Sequence, residues 1–184
     1  MGFLTRAPTG RTARFLTAAA LLLCLVRPAA AGDLNEQKIK AGLIYNFLKY
    51  TEWKALGPDR KIEVCLFGND ALIDYLMPLQ GRTAQQHPIN IVRIGTLERV
   101  PACNLVFLSK TEEGMLAGVL DAAAGKGVLT ISDIGSFTRR GGMAELSTQD
   151  DQRIHLLINK YAVQGAGLRI ENRLLNLAEG AGQE

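Results

Sequence analysis

Residues 104–132 read NLVFLSKTEEGMLAGVLDAAAGKGVLTIS, and the fold class follows from how this stretch divides. Residues 104–109 are an apolar run without alternation, the pattern of a strand buried on both faces. Residues 111–124 carry helix signals: Glu112 and Glu113 sit where the positive end of the helix dipole favours them, and Gly125 stops the element. Residues 128–132 return to an apolar, β-branched run. Strand, helix and strand in succession is the unit that builds a parallel sheet with a covering helix.

The same grammar extends upstream. IEVCLF (62–67) is a second fully apolar strand, and INIVRI (89–94), flanked by Pro88 and Gly95, is a third. Between them NDALIDYLMPL starts on a capping Asn69 or Asp70 and reads as a short helix stopped near Pro78. AGLIYNFLKYTEW (41–53) belongs to a first helix spanning about residues 34 to 53, capped by Asp33 or Asn35 and ended before Gly57-Pro58. At 100° per residue, Lys38, Gly42, Asn46, Lys49 and Glu52 or Trp53 make one narrow polar stripe. Leu43, Ile44, Phe47, Leu48 and Tyr50 fill a broad opposite side. Its aromatic residues are therefore predicted to be core rather than a stacking surface or membrane anchor, with Tyr45 and Trp53 nearest the polar stripe.

Downstream, Gly141-Gly142 introduces MAELST (143–148), residues 149–152 turn the chain, and RIHLLI (153–158) returns as an antiparallel partner. Residues 159–164 and 172–178 are short helical pieces. The prediction is one α/β domain over residues 33–178: a mostly parallel, mixed central sheet flanked by helices, with an antiparallel C-terminal hairpin. Residues 179–184 (EGAGQE) are Gly-rich and polar, a flexible tail.

The first 31 residues read as an export signal. Arg6, Arg11 and Arg14 form a positive region, residues 15–26 (FLTAAALLLCLV) an apolar run too short to span a bilayer, and Ala29-Ala30-Ala31 a cleavage site. Leu23 before Cys24 disfavours a lipoprotein; an uncleaved anchor is the alternative. The formal charge of +3 belongs to this segment. Removing its four arginines leaves 17 Lys+Arg against 18 Asp+Glu, about −1, so no basic patch calls for nucleic acid. Cys24 leaves too. The remaining pair, Cys65 and Cys103, reads as a disulfide in an exported chain, with two buried free thiols as the alternative. Positions in or beside strands of one sheet allow the bridge without requiring it.

Catalytic signatures are absent. His87 and His155 have no Cys, His or carboxylate at ligand spacing, so no metal or cofactor is expected. Gly125-Lys126-Gly127 lacks the rest of a phosphate loop and follows a helix rather than opening one. No G-x-S-x-G, S-x-x-K or C-x-x-C occurs. Ser132, Asp133 and Ser136, with Lys110 at the preceding strand end, lie where α/β folds place ligands, although such residues more often satisfy turns. The chain reads as a non-enzyme, and a thiol oxidoreductase is disfavoured by cysteines that lie far apart in or beside strands.

Four blocks in order resemble the YfiR-like family of exported bacterial proteins: KIKAGLIYNFLKYTEW (38–53), IEVCLFGND (62–70), CNLVFLS (103–109), and VLTISDIGSFTRRGGMAEL with RIHLLINKYAVQGAGLRIENRLLNLA (128–178). The resemblance implies a periplasmic α/β regulator, often dimeric and without known catalysis. Its best-understood relative represses an inner-membrane diguanylate cyclase, and an outer-membrane lipoprotein sequesters it. The resemblance also implies a Cys65–Cys103 bridge and a partner-binding region containing Leu157, Lys160 and Val163. That relative's second cysteine pair, expected near residues 139–146, is missing; Arg139-Arg140-Gly141-Gly142 stands there, so the same partners do not follow automatically. The competing expectation is a periplasmic small-molecule sensor with its cleft near Ser109, Lys110, Ser132 and Asp133.

Overall fold

The computed structural model describes residues 2, 30–54, 56–148 and 153–178. The chain divides into two compact units, Met1–Asp33 and Leu34–Glu184. Most of the segment read as an export signal lies outside the described residues, as do the turn at 149–152 and the tail at 179–184.

Helix α1 (Ala30–Tyr50) ends three residues earlier than its sequence predicts. Thr51–Glu52 form strand β1 instead, paired antiparallel with Ile170 and Arg169 of strand β9 (Arg169–Ile170). The reason is competition for the last helical carbonyls, which have no partner inside the helix. The backbone N–H of Glu171 donates to the Tyr50 carbonyl at 2.9 Å, and the Gln85 amide donates to the carbonyls of Leu48 (2.8 Å) and Thr51 (2.7 Å). Long-range partners thus stop the helix.

Seven strands form the main sheet: β2 (Ile62–Phe67), β3 (Thr83–Ala84), β4 (His87–Arg93), β5 (Leu105–Leu108), β6 (Leu129–Ser132), β7 (Ala144–Thr148) and β8 (Ile154–Ile158). Their order is β3-β4-β2-β5-β6-β7-β8. The five inner strands pair in parallel, and β3 and β8 close the edges antiparallel. The mostly parallel α/β sheet and its antiparallel C-terminal hairpin are as the sequence indicates. The β3–β4 hairpin is additional. Its two-residue turn, Gln85-Gln86, takes positive φ of 51° and 68°, conformations that usually call for Asn or Gly.

Helix α2 (Ala71–Leu76) is capped by Asp70, whose carboxylate accepts from the Ile73 N–H at 3.2 Å. The helix expected from residue 111 is split. A 3-10 segment, Lys110–Met115, precedes α3 (Leu116–Ala123), with a kink at Glu112. Gly114 within this segment costs about 1 kcal/mol of helix propensity relative to alanine, which favours the break. Helix α4 (Lys160–Gly165) is capped by Asn159, and α5 (Asn172–Leu175) follows β9.

Alternation along the strands builds two cores. Val64, Leu66, Leu105 and Phe107 meet Ile44, Phe47 and Leu48 of α1 and Leu72, Ile73 and Leu76 of α2. Cys65, Phe67, Val106 and Leu108 point to the other face, against Leu116, Val119 and Ala123 of α3. The strands are buried on both sides, which is why they read as continuous apolar runs. A disulfide joins Cys65 to Cys103 in the second core, with 6.0 Å between Cα atoms. Glu145, 3% exposed on β7, accepts from the backbone N–H groups of Ser136 (3.0 Å) and Thr138 (3.2 Å) and from the Thr138 hydroxyl (3.1 Å). A buried carboxylate satisfied this way organises the loop that leads from β6 to β7.

Candidate functional site at the strand ends and the C-terminal hairpin

From β2 the chain reaches β4 on one side, and the next strand, β5, lies on the other, so the C-terminal ends of β2 and β5 flank a topological switch point. Gly68 follows β2 there with φ of 115°, and a Cβ added to it would stand 2.6 Å from Cβ of Ser109. The Ser109 hydroxyl is fully buried; it donates to the Asp70 carboxylate and shares a bond of 2.9 Å with the Thr111 hydroxyl. The Lys110 backbone N–H donates to Oδ1 of Asp133 at 2.7 Å. Ser132 donates to the Leu108 carbonyl at 2.6 Å and accepts from the Ile134 N–H at 3.0 Å. The four sequence-nominated residues Ser109, Lys110, Ser132 and Asp133 therefore do meet at one sheet end. Their polar groups bond mainly to the protein itself.

Lys40 of α1 approaches the same end. It is 2% exposed and pairs with Glu36 at 2.7 Å, and the Thr148 hydroxyl donates to Glu36 at 2.6 Å. Sequence periodicity missed this buried pair, because a lysine four residues after a glutamate normally signals a solvated helix face. Burial pushes the Glu36 carboxyl up, but hydrogen bonds from Lys40 and Thr148 outweigh it and hold the group below the usual range. Asp133 goes the other way: burial raises it, and the Lys110 N–H and nearby lysine charges offset only part of that.

Two outcomes are expected here. Gly68→Ala should destabilise by about 2–4 kcal/mol, since a left-handed alanine costs about 1–2 and the clash with Ser109 adds a similar amount. A urea midpoint within error of the parent would refute this. For Asp133, a raised folded value means that the folded chain holds its proton to higher pH than the unfolded chain does. Stability from this group is present at low pH and is lost as pH rises from the ordinary aspartate range through the folded value. Asp133→Asn can keep its acceptor for Lys110 and should remove that decline, so the variant's stability gains on the parent as pH rises from 4 to 7. A parallel pair of pH–stability curves would contradict it.

At the hairpin, Leu157 of β8 is half-buried and Lys160, at the start of α4, is exposed. Val163, the third residue of the partner-binding region that the resemblance implies, is 4% exposed and packs in the first core. Val163 occupies the buried side of the first full turn after Asn159, and sequence could not show which side faced inward. Lys160 and Val163 instead line a cavity of about 100 Å³ with Ile158, Leu168 and Arg169. A second cavity, about 270 Å³, is walled by Ala123, Gly125, Thr130, Gly141, Met143, Ala162 and Ala166. Tyr161, 75% exposed between these sites in sequence, is the contact candidate that the sequence reading missed. A large aromatic two residues after a capping Asn159 was its only signal.

No trio of His, Cys, Asp and Glu able to hold a metal occurs among the described residues. His87 bonds to the Arg60 carbonyl through Nδ1 at 2.8 Å. Trp53 is 7% exposed, with Nε1 donating to the Asn104 carbonyl at 2.9 Å, so it closes the core beneath β5.

The sequence model of one family, described as YfiR/HmsC-like, matches residues 37–179. The chain belongs to the YfiR/HmsC-like family. Among solved structures, this YfiR/HmsC-like chain is similar to a conserved domain protein from Vibrio cholerae O1 biovar El Tor str. N16961. The TM-score is 0.56 at 16% identity, over 78% of this chain and 59% of that one, a likeness of fold alone. The ABC domain in complex with L-Trp from Streptococcus pneumonia overlaps at a TM-score of 0.47 and 11% identity, over 78% of this chain and 59% of that one, too distant to carry an argument. Comparison with proteins of curated function returns no match.

Proposed function

We propose that this YfiR/HmsC-like chain is exported to the periplasm, binds the periplasmic part of an inner-membrane signalling protein such as a diguanylate cyclase, and represses it. The observation that carries this reading is the family match across residues 37–179. A disulfide supports it, because such bonds persist in oxidising compartments. No helix among the described residues is long and apolar enough to cross a membrane, so contact with a membrane protein would be made from outside the bilayer.

The hairpin end is the proposed contact surface, now centred on Leu157, Lys160 and Tyr161 with Val163 as their buried support. An outer-membrane lipoprotein would relieve repression by competing for the chain, by mass action and in proportion to its differential affinity. A homodimer is compatible with the same scheme. Arg139 and Arg140, which stand where the resemblance to the best-understood relative leads one to expect a second cysteine pair, are the feature most apt to alter partner choice. Deleting the gene should raise cellular cyclic-di-GMP, and restoring the wild-type chain should lower it again. Unchanged cyclic-di-GMP under several growth conditions would overturn the reading.

The competing small-molecule sensor has one observation in its favour, the convergence of Ser109, Lys110, Ser132 and Asp133 at the switch point. It is the weaker reading, because those groups already bond to one another and to the backbone. A ligand at 100 times its Kd would add about 2.7 kcal/mol, so a thermal-shift screen without a stabilising compound counts against it.

A further inference from the structure

We propose that the row Arg82, Tyr45, Lys49, Tyr50 and Arg173 is a docking surface for an acidic polypeptide segment of a partner protein. The five residues come from three places: the last two turns of α1, the approach to the β3–β4 hairpin, and α5. The Arg82 guanidinium lies 5.5 Å from the centre of the Tyr45 ring, and Lys49 Nζ lies 5.6 Å from that ring and 5.0 Å from Tyr50. Arg173 completes the row, 5.7 Å from the Tyr50 ring. Each distance falls within about 6 Å, the range of cation–π attraction.

Position and charge both point to an anion. Among the described residues, none of these three cations has a carboxylate within ion-pair distance, whereas Arg93, Arg140 and Arg169 pair with Asp74, Glu113 and Glu52. Lys49 alone would be explained by the negative end of the α1 dipole. That account does not reach Arg82 or Arg173, which other elements bring to the same tyrosines. An arginine stacked on a ring keeps its in-plane N–H groups available for a carboxylate, and its planar head loses little freedom on binding.

The row is also held in place. The Tyr45 hydroxyl donates to the Thr83 carbonyl at 3.1 Å, and Arg173 Nη1 donates to the Tyr50 hydroxyl at 3.4 Å. Gln85 ties the hairpin to the end of α1 through its two carbonyl bonds. Rings anchored by their hydroxyls are poorly placed to enter a lipid headgroup layer, which rewards mobile aromatic and basic side chains. A fixed set of donors suits carboxylates presented by a folded or extended protein segment. The identity of the occupant as a protein rests on the regulatory reading above; the anion chemistry does not.

The chain purified from the periplasm should bind fluorescein-labelled poly-L-glutamate, with affinity falling as salt is raised. Lys49→Gln, Arg82→Gln and Arg173→Gln combined should weaken binding about tenfold or more, roughly 1.4 kcal/mol or above. The equally charged control Lys38→Gln, Arg99→Gln and Lys126→Gln should change it less than about twofold, within the small worth of exposed charges elsewhere. Equal losses in both triple variants would overturn the proposal as generic electrostatics. So would row-dependent binding to phosphatidylglycerol vesicles without binding to poly-glutamate. Chemical-shift mapping on the unaltered chain gives an answer that does not depend on how the variants fold. Perturbations should cluster at residues 45–50, 82–84 and 172–174, and a cluster elsewhere refutes the site. Failure here leaves the cyclic-di-GMP phenotype untouched, and an absent phenotype leaves poly-glutamate binding untouched, so the two readings fail separately.

Discussion

Phe47→Ala is expected to lower the unfolding free energy by about 3–5 kcal/mol, the range for truncating a buried phenylalanine. Phe47 is fully buried, on the α1 face that closes the first core over β2 and β5. Truncation removes apolar burial and leaves a cavity that α1 cannot fill, because its end is fixed by β1, by Glu171 and by Gln85. A domain of ordinary size has only about 5–15 kcal/mol in total, so the variant should be partly unfolded at growth temperature. Urea unfolding followed by circular dichroism measures the effect. The exposed Lys38→Ala should stay within about 0.5 kcal/mol. Equal midpoints for Phe47→Ala and Lys38→Ala would mean that α1 does not close this core.

Removal of the Cys65–Cys103 bridge is expected to cost a similar amount. Its cysteines are 38 residues apart, and the loop-closure entropy of such a span is about 4 kcal/mol in the chain-entropy model. The double variant Cys65→Ala, Cys103→Ala is the better test than reduction, since it leaves no buried thiols. Both sulfurs lie in the second core, with their residues 2% and 5% exposed, so a thiol reductant should act slowly on the native chain and quickly in urea. An unchanged urea midpoint in the double variant would show that the bridge adds nothing to stability.

Much of the fold was legible because burial on both faces leaves a strong local trace. IEVCLF, NLVFLS and VLTIS each became an inner parallel strand, and Asp70 and Asn159 cap the helices that follow them. The β3–β4 hairpin was not legible, since Gln85-Gln86 carries none of the residues that favour left-handed turns. Strands β1 and β9 are two residues each and more than a hundred residues apart. No window of sequence contains both, and Thr51-Glu52 read locally as more helix.

The candidate sites divide along the same line. Ser109, Lys110, Ser132 and Asp133 were nominated by position after strands, and the parallel order of the sheet does bring them together. The burial of Val163 and Lys40 was not legible, because a short helix or a regular i, i+4 pair does not declare which side meets the core. Sequence by itself determined the α/β class, the order of the inner elements, the absence of catalytic signatures and the family blocks, all carried by local pattern and spacing. Only the tertiary structure decided where α1 stops, which charges are buried and which cations gather on Tyr45 and Tyr50. Those outcomes depend on packing between segments far apart in the chain, and local propensity holds no record of it.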